Sequence, residues 1–229
     1  EATLVTRHDV KHKLDVECQE IAVATILKAF PGHAVLGEET AGAETPPPAG
    51  PQWIVDPIDG TVNFVHGLPL WCCSVAVRVD GVMAAGVVRA PELGLCFEAA
   101  RDAPARCNGE LIGVSATRRL DRAVVHTGCD RKEGPARAFR FLECLASRVQ
   151  RPRLLGAAAL DVCFVAAGRA DAYFEHGIYL WDIAAAGLIL ECAGGRIEVL
   201  KAHGGYRLAV LASNGALHAS LRRLLRQAL

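Results

Sequence analysis

The chain has 229 residues, 52% of them hydrophobic and 22% charged, which is enough apolar material for one large domain or two closely packed ones. Its 25 basic and 25 acidic residues cancel, which argues against a non-specific nucleic-acid binder or a protein held to a membrane by charge. The longest apolar stretch, 183–192, is too short to cross a bilayer and contains Glu191.

The nine cysteines are odd in number and contain no Cys-x-x-Cys pair, so reduced, buried thiols in a cytoplasmic protein are expected, with a zinc site the weaker option. No signal-peptide pattern opens the chain at Glu1, and an upstream segment is expected to precede it. A short extended segment over 3–6 leads to Asp9, placed as the N-cap of a helix over 10–30. Val10, Leu14, Cys18 and Ile21 follow helical spacing, Val23, Ile26, Leu27 and Phe30 mark a second buried stripe, and Pro31-Gly32 ends the helix. A strand over 34–36 delivers Gly37-Glu38-Glu39. The Pro-rich stretch 40–51 reads as a surface loop.

Next comes an apolar strand, Trp53 to Val55, followed by Asp56, Pro57, Asp59, Gly60 and Thr61, the last two opening a helix. Strands over 71–79 and 82–89 are joined by the hairpin signal Asp80-Gly81, with a further strand over 93–99 and a turn at Asn108-Gly109. Beyond residue 120 strands alternate with helices: strands over 123–127, 153–155, 170–174, 196–200 and 208–212, and helices over 135–149, 156–167, 181–193 and 216–229. The predicted class is therefore α/β (α+β). A boundary near residue 115 divides a sheet-rich 1–115 carrying most candidate ligands from an α/β 116–229 carrying Asp182.

Asp56 and Asp59 on one rigid turn make a hard, oxygen-rich site that suits Mg²⁺ better than Zn²⁺, and the N–H groups of the following helix start offer a seat for phosphate. The bland alternative is a turn whose Asp side chains bond their own backbone. Glu38-Glu39 reads equally as a solvated turn, and Asp182 and Asp9 as helix caps. A functional Asp9 would orient the Thr61 hydroxyl. The eight histidines form no ligand pattern, no P-loop follows a strand, and Arg118, Arg119 and Arg122 read as a solvated basic face.

Taken in order, Gly37-Glu38-Glu39, Asp56-Pro57-Ile58-Asp59-Gly60-Thr61, Asn63-Phe64, His66-Gly67, Asp171-Ala172-Tyr173 with Glu175 and Gly177, Trp181-Asp182 and Gly194-Gly195 resemble the inositol monophosphatase family from about Leu4 to the last helix. The resemblance implies a layered αβαβα sandwich and Mg²⁺-dependent, Li⁺-sensitive hydrolysis of a phosphate monoester by direct attack of water, with about two or three Mg²⁺ ions. It implies that Glu39, Asp56, Asp59, Asp182 and the Ile58 carbonyl are metal ligands and that the Gly60 and Thr61 amides hold phosphate. Glu39 and Thr61 would orient the water, with Asp9 supporting Thr61. Glu175, Asp182 and Ala158 would meet the substrate. It also implies a homodimer. Inositol monophosphate is the leading substrate, and histidinol phosphate or another sugar or polyol phosphate is the alternative. Fructose bisphosphatase and bisphosphate nucleotidase activities are less favoured. A regulatory protein on the same fold, associated with transcription or RNA, is the alternative of another class, although the neutral charge gives nucleic-acid binding no support. Ala157 and Cys129 stand where hydroxyl residues are common in the family, which bears on substrate choice.

Overall fold

The computed structural model describes residues 2–5, 10–42, 44–46, 48–129 and 135–226. Strand β1 (Ala2–Val5) pairs antiparallel with β2 (Val10–His12), and helix α1 (Lys13–Ala29) follows without a break. The helix begins later than its apolar spacing predicts because the hairpin claims Val10–His12 as its return strand. Asp9 lies outside the described residues.

Helix α1 buries only part of the predicted stripes: Ile26 is buried as expected, Leu14, Ile21, Leu27 and Phe30 are exposed, and Asp15 and Gln19 are buried instead. Gln19 explains part of this: its Oε1 accepts the Glu39 N–H at 2.9 Å and its Nε2 donates to Thr40 Oγ1 at 3.2 Å. The polar side of α1 is thus spent on fixing the turn after the next strand.

The first large sheet has seven strands in chain order: β3 (Ala34–Gly37), β4 (Pro51–Asp59), β5 (Cys72–Val79), β6 (Val82–Ala90), β7 (Leu95–Ala100), β8 (Arg106–Cys107) and β9 (Glu110–Leu111). It is antiparallel throughout except where β3 runs parallel to β4. Helix α2 (Thr61–Val65) sits at the end of β4.

The second sheet has five strands in the order β11 (Arg151–Arg153), β10 (Val124–Thr127), β12 (Ala172–Tyr179), β14 (Arg207–Ser213) and β13 (Arg196–Gly204). Strands β10, β11 and β12 run parallel, and β13 and β14 are antiparallel. The remaining helices are α3 (Pro135–Ala146), α4 (Ala158–Ala166), α5 (Leu180–Cys192) and α6 (His218–Arg226).

Layering follows from burial. Helices α4 and α5 are buried nearly all round and lie between the two sheets, as continuously apolar helices must. Helix α1 covers the far side of the first sheet. Helices α3 and α6 cover the far side of the second, over Val125, Ala172, Phe174 and Leu211. The result is the expected αβαβα sandwich. The run Ala184-Ala185-Ala186-Gly187 serves close approach: a Cβ placed on Gly86 of β6 would fall 2.8 Å from the Ala185 Cα. Among the described residues no helix is long and apolar enough to cross a membrane.

Candidate active site

Strand β4 builds the centre of the site. Asp56 pairs with Ser74, but the next pair is Asp59 with Cys72, so β4 holds one more residue than its partner over this interval. This is a β-bulge, at the point where Pro57 has no N–H for the ladder. The bulge decides the chemistry. In a regular strand residues at odd spacing point to opposite faces, so Asp56 and Asp59 would be separated by the sheet. The extra residue returns both to one side.

One oxygen from each of Asp56, Asp59 and Asp182 lies within 4.8 Å of the other two. Asp182 comes from the first turn of α5, where its Oδ2 accepts the Tyr179 N–H at 2.7 Å. It therefore does cap its helix, and it faces the β4 acids as well. The two roles are compatible because a carboxylate has several lone-pair sites.

The β4 carboxylate oxygens are held unequally. Asp56 Oδ1 accepts the Ile58 N–H at 3.0 Å, while Asp56 Oδ2 is buried with no hydrogen-bond partner. Asp59 Oδ1 accepts the Ala158 N–H at 3.1 Å and Oδ2 the Ala159 N–H at 2.7 Å. The Cys72 thiol donates to Asp59 Oδ2 at 3.5 Å.

Burial holds the Asp56 carboxyl well above the usual carboxylate range, and the charges of Glu38, Asp59 and Asp182 push it further. Burial likewise raises Asp59 to about 7, against the lowering effect of the Ala159 amide. Like-charged carboxylates gathered away from water, with one oxygen unpartnered, are the donor set a hard divalent cation satisfies. All three are oxygen donors, so Mg²⁺ fits them better than a thiophilic metal.

Other predicted residues are placed as follows. Among the neighbouring charges that raise Asp56, that of Glu38 is the largest. Glu39 is half-buried with its amide held by Gln19. The Thr61 hydroxyl donates to the Ile58 carbonyl at 3.1 Å. Gly60 adopts a left-handed conformation (φ 88°), and a Cβ there would lie 3.0 Å from the Ala157 Cβ and the Leu70 carbonyl. Asn63 Nδ2 ties this corner together by donating to the Leu70 and Leu155 carbonyls at 2.6 and 2.7 Å. Ala158 is buried, with its amide on Asp59. Glu175 is half-buried on β12, lies over Gly128 and accepts a short hydrogen bond from the Tyr173 hydroxyl. The Tyr173 phenol is pushed well above its ordinary value by burial and by the charges of Glu175, Asp161 and Asp182, so it stays protonated and donates. Cys129 is partly exposed, and all nine cysteines are unpaired thiols, with Cys18 exposed rather than buried.

Two features escape a sequence reading. Asp15 is a buried carboxylate in the first turn of α1. Asp161 is the single charged residue of α4, buried, with an oxygen 2.6 Å from His126 Nδ1. A lone acid in an otherwise apolar helix was the available signal for the second.

A layered α/β sandwich that converges carboxylates from a bulged strand and a helix start beside a glycine-opened turn is the architecture of a phosphoric monoester hydrolase. The family model described as the inositol monophosphatase family matches residues 3–229. A protein named Nus factor SuhB from Pasteurella multocida is 38% identical over 86% of this chain and 74% of its own length. A fructose-1,6-bisphosphatase/inositol-1-monophosphatase from Thermotoga maritima is 36% identical over 92% of this chain and 80% of its own. The solved structure of a Thermotoga maritima IMPase superposes with a TM-score of 0.87 at 34% identity, covering 99% of this chain and 87% of that one. The chain belongs to the inositol monophosphatase family and is a phosphatase.

Proposed function

We propose that this chain hydrolyses a small phosphate monoester with Mg²⁺, and that inositol monophosphate is its leading substrate. The observation that supports this most is the gathering of Asp56, Asp59 and Asp182 with one Asp56 oxygen buried and unpartnered. These three would hold the cation together with the Ile58 carbonyl and Glu38. Glu38 is proposed here beside Glu39 of the same turn, because its charge bears on Asp56. When bound, Mg²⁺ polarises a phosphoryl oxygen and lowers the pKa of water.

The chain's own groups do the positioning. The Gly60 and Thr61 amides hold phosphate oxygens. The Thr61 hydroxyl donates its hydrogen bond to the Ile58 carbonyl, which leaves its lone pairs to accept one from the attacking water. Asp15, the buried acid of α1, is proposed to support this corner alongside Asp9, which lies outside the described residues. Glu175, oriented by Tyr173, accepts a substrate hydroxyl, and Ala158 lines the ring site.

A substrate panel tests the reading: phosphate release from inositol monophosphates, histidinol phosphate, fructose 1,6-bisphosphate and 2′-AMP, each with and without Mg²⁺ and Li⁺. Inositol monophosphate is expected to lead, with turnover abolished by chelation and inhibited by Li⁺. Preference for histidinol phosphate over every inositol phosphate would replace the substrate, and turnover unaffected by chelator would remove the metal. Size-exclusion chromatography checks the proposed homodimer.

The Pasteurella relative's name, Nus factor, favours a second role in a transcription complex. Capture of transcription components by the active protein, and not by an unrelated phosphatase, is its test.

A further inference from the structure

Helix α4 reads Ala-Ala-Leu-Asp-Val-Cys-Phe-Val-Ala, and all but Phe164 of it is buried. A helix that is apolar on every side has no stripe to tell it which face meets which sheet. Small side chains make this worse, since Ala158, Ala159 and Ala166 offer little shape to lock. Yet the rotation of α4 matters more than that of other helices here. Its first two amides, Ala158 and Ala159, hold the two oxygens of Asp59 at 3.1 and 2.7 Å. A slip of one residue would turn those N–H groups by about 100° and shift them by about 1.5 Å.

Among the described residues the one side-chain hydrogen bond that the helix makes is that of Asp161. Its carboxylate is 1% exposed and meets His126 Nδ1 at 2.6 Å, with the imidazole 5% exposed on β10. The edge of the Phe164 ring stands against the same imidazole, 6.3 Å between centroids. A buried pair of this kind adds little net stability over apolar side chains of the same volume, and its best-attested use is to fix register.

We infer that the His126–Asp161 hydrogen bond is a positioning lock that sets the rotation of α4 and so aims the Ala158 and Ala159 amides at Asp59. His126 and Asp161 are positioning residues, and they act on the site only through the helix. The inference rests on the proposed role of Asp59 as a cation ligand. It adds a requirement that the Asp59 side chain be held from behind, as outer partners hold ligands in other metal sites.

The test uses the whole chain and Mg²⁺ alone as probe. Asp161→Leu removes the acceptor and keeps the branching of the side chain, with methyls in place of the two oxygens. It is expected to fold, to weaken Mg²⁺ binding by calorimetry about tenfold, and to shift the Ala158 and Ala159 amide resonances of the metal-free protein. Asp161→Asn keeps an oxygen for the imidazole N–H and is expected to restore Mg²⁺ affinity to within about threefold. A double variant, His126→Leu with Asp161→Leu, leaves no orphaned polar group, so it serves if the single change does not fold. It is expected to match the single variant in affinity rather than add to it.

Asp59→Asn is the control for the underlying reading. If Asp59→Asn weakens Mg²⁺ binding while both leucine variants bind like wild type with unmoved amides, the lock is refuted and the metal site stands. If Asp59→Asn itself leaves Mg²⁺ affinity unchanged, the ligand assignment fails. The amide resonances then decide the lock alone: movement on losing Asp161 keeps it, and no movement ends it.

Discussion

Asp59 and Ala159 are a hundred residues apart in the chain and 2.7 Å apart in the fold, carboxylate oxygen to amide nitrogen. Helix α4 has no cap of its own, since Ala157 at its N-cap offers no side-chain acceptor. The acid that closes it comes from the bulged end of β4. One side chain therefore joins the first sheet to the helix layer and also faces Asp56 and Asp182. The free amides and positive end of a helix favour a carboxylate at this place, which partly offsets the cost of burying it.

Replacing Asp59 with Ala should thus have two separable effects. Mg²⁺-dependent turnover is expected to fall by more than about a hundredfold, from loss of a ligand. The first turn of α4 is expected to exchange its amide protons faster, from loss of the cap. Hydrogen exchange at Ala158 and Ala159 measures the second effect without reference to activity. Unchanged protection there would mean that the capping bonds do not hold α4.

Asp56 should behave in the opposite way to an ordinary buried residue. Its carboxyl is desolvated and surrounded by the charges of Glu38, Asp59 and Asp182, so without a cation it is a source of strain. Asp56→Asn takes the ionisable group out of this cluster and keeps the shape. In chelator the variant is expected to melt higher than wild type, by roughly 2–4 °C for each kcal/mol of relieved repulsion. With saturating Mg²⁺ the order should reverse, because only the wild type gains binding energy from the ion. Thermal melts of both proteins in both conditions check this, and the same ranking throughout would deny the site its cation.

The pH dependence of the metal-free protein follows from Asp59. Its folded value of about 7 lies above the ordinary value of 3.8 that it has in the unfolded chain. Between these values the folded chain binds the extra proton, so unfolding releases it and stability falls as pH rises. The metal-free protein is therefore expected to gain stability on going from pH 7.5 to 5.5 as far as this group is concerned. Mg²⁺ competes with the same proton, so its apparent affinity should fall over that range. Calorimetric titrations at several pH values, with melts in chelator alongside, measure both trends. A Mg²⁺ affinity that does not change across this range would contradict the assignment.

Much of this site was legible because its signals are local. Gly37-Glu38-Glu39, the Asp-Pro-Ile-Asp-Gly-Thr turn and Trp181-Asp182 each announce a strand end or helix start from residues next to one another. The alternation of strands and helices was legible too, since turn residues set the strands off, while the layered order came with the family resemblance. What escaped depends on contacts between distant segments. Strand spacing alone does not reveal that the β4 bulge brings Asp56 and Asp59 to one face. The apolar positions of α1 were read as its buried side, but Gln19 is drawn inward to hold the Glu39 amide, and Asp15 is buried with it. The choice between Glu38 and Glu39 turns on a single residue of rotation in a short 3₁₀ turn (Glu38–Thr40), which no periodicity resolves.

Gly128 offers a probe of the substrate side that leaves the carboxylate cluster intact. A Cβ at this position would fall 1.7 Å from Glu175 Oε2 and 1.9 Å from its carboxyl carbon, so the side chain of Glu175 must move for any other residue to fit. The backbone of Gly128 is not in the left-handed region, so alanine adds the clash without backbone strain. Gly128→Ala should therefore displace Glu175 from the Tyr173 hydroxyl while Asp56, Asp59 and Asp182 stay in place. With a polyol phosphate the expected result is a KM raised by about tenfold with Mg²⁺ affinity unchanged, since a hydrogen bond to a charged acceptor is worth about 1.5–3 kcal/mol. With a phosphate ester that has no hydroxyl near Glu175, such as phenyl phosphate, KM should not move. Comparing the two substrates on Gly128→Ala and Glu175→Gln separates recognition from collapse of the site: a matching loss on both substrates would mean that Glu175 supports the fold around β12 rather than binding a hydroxyl.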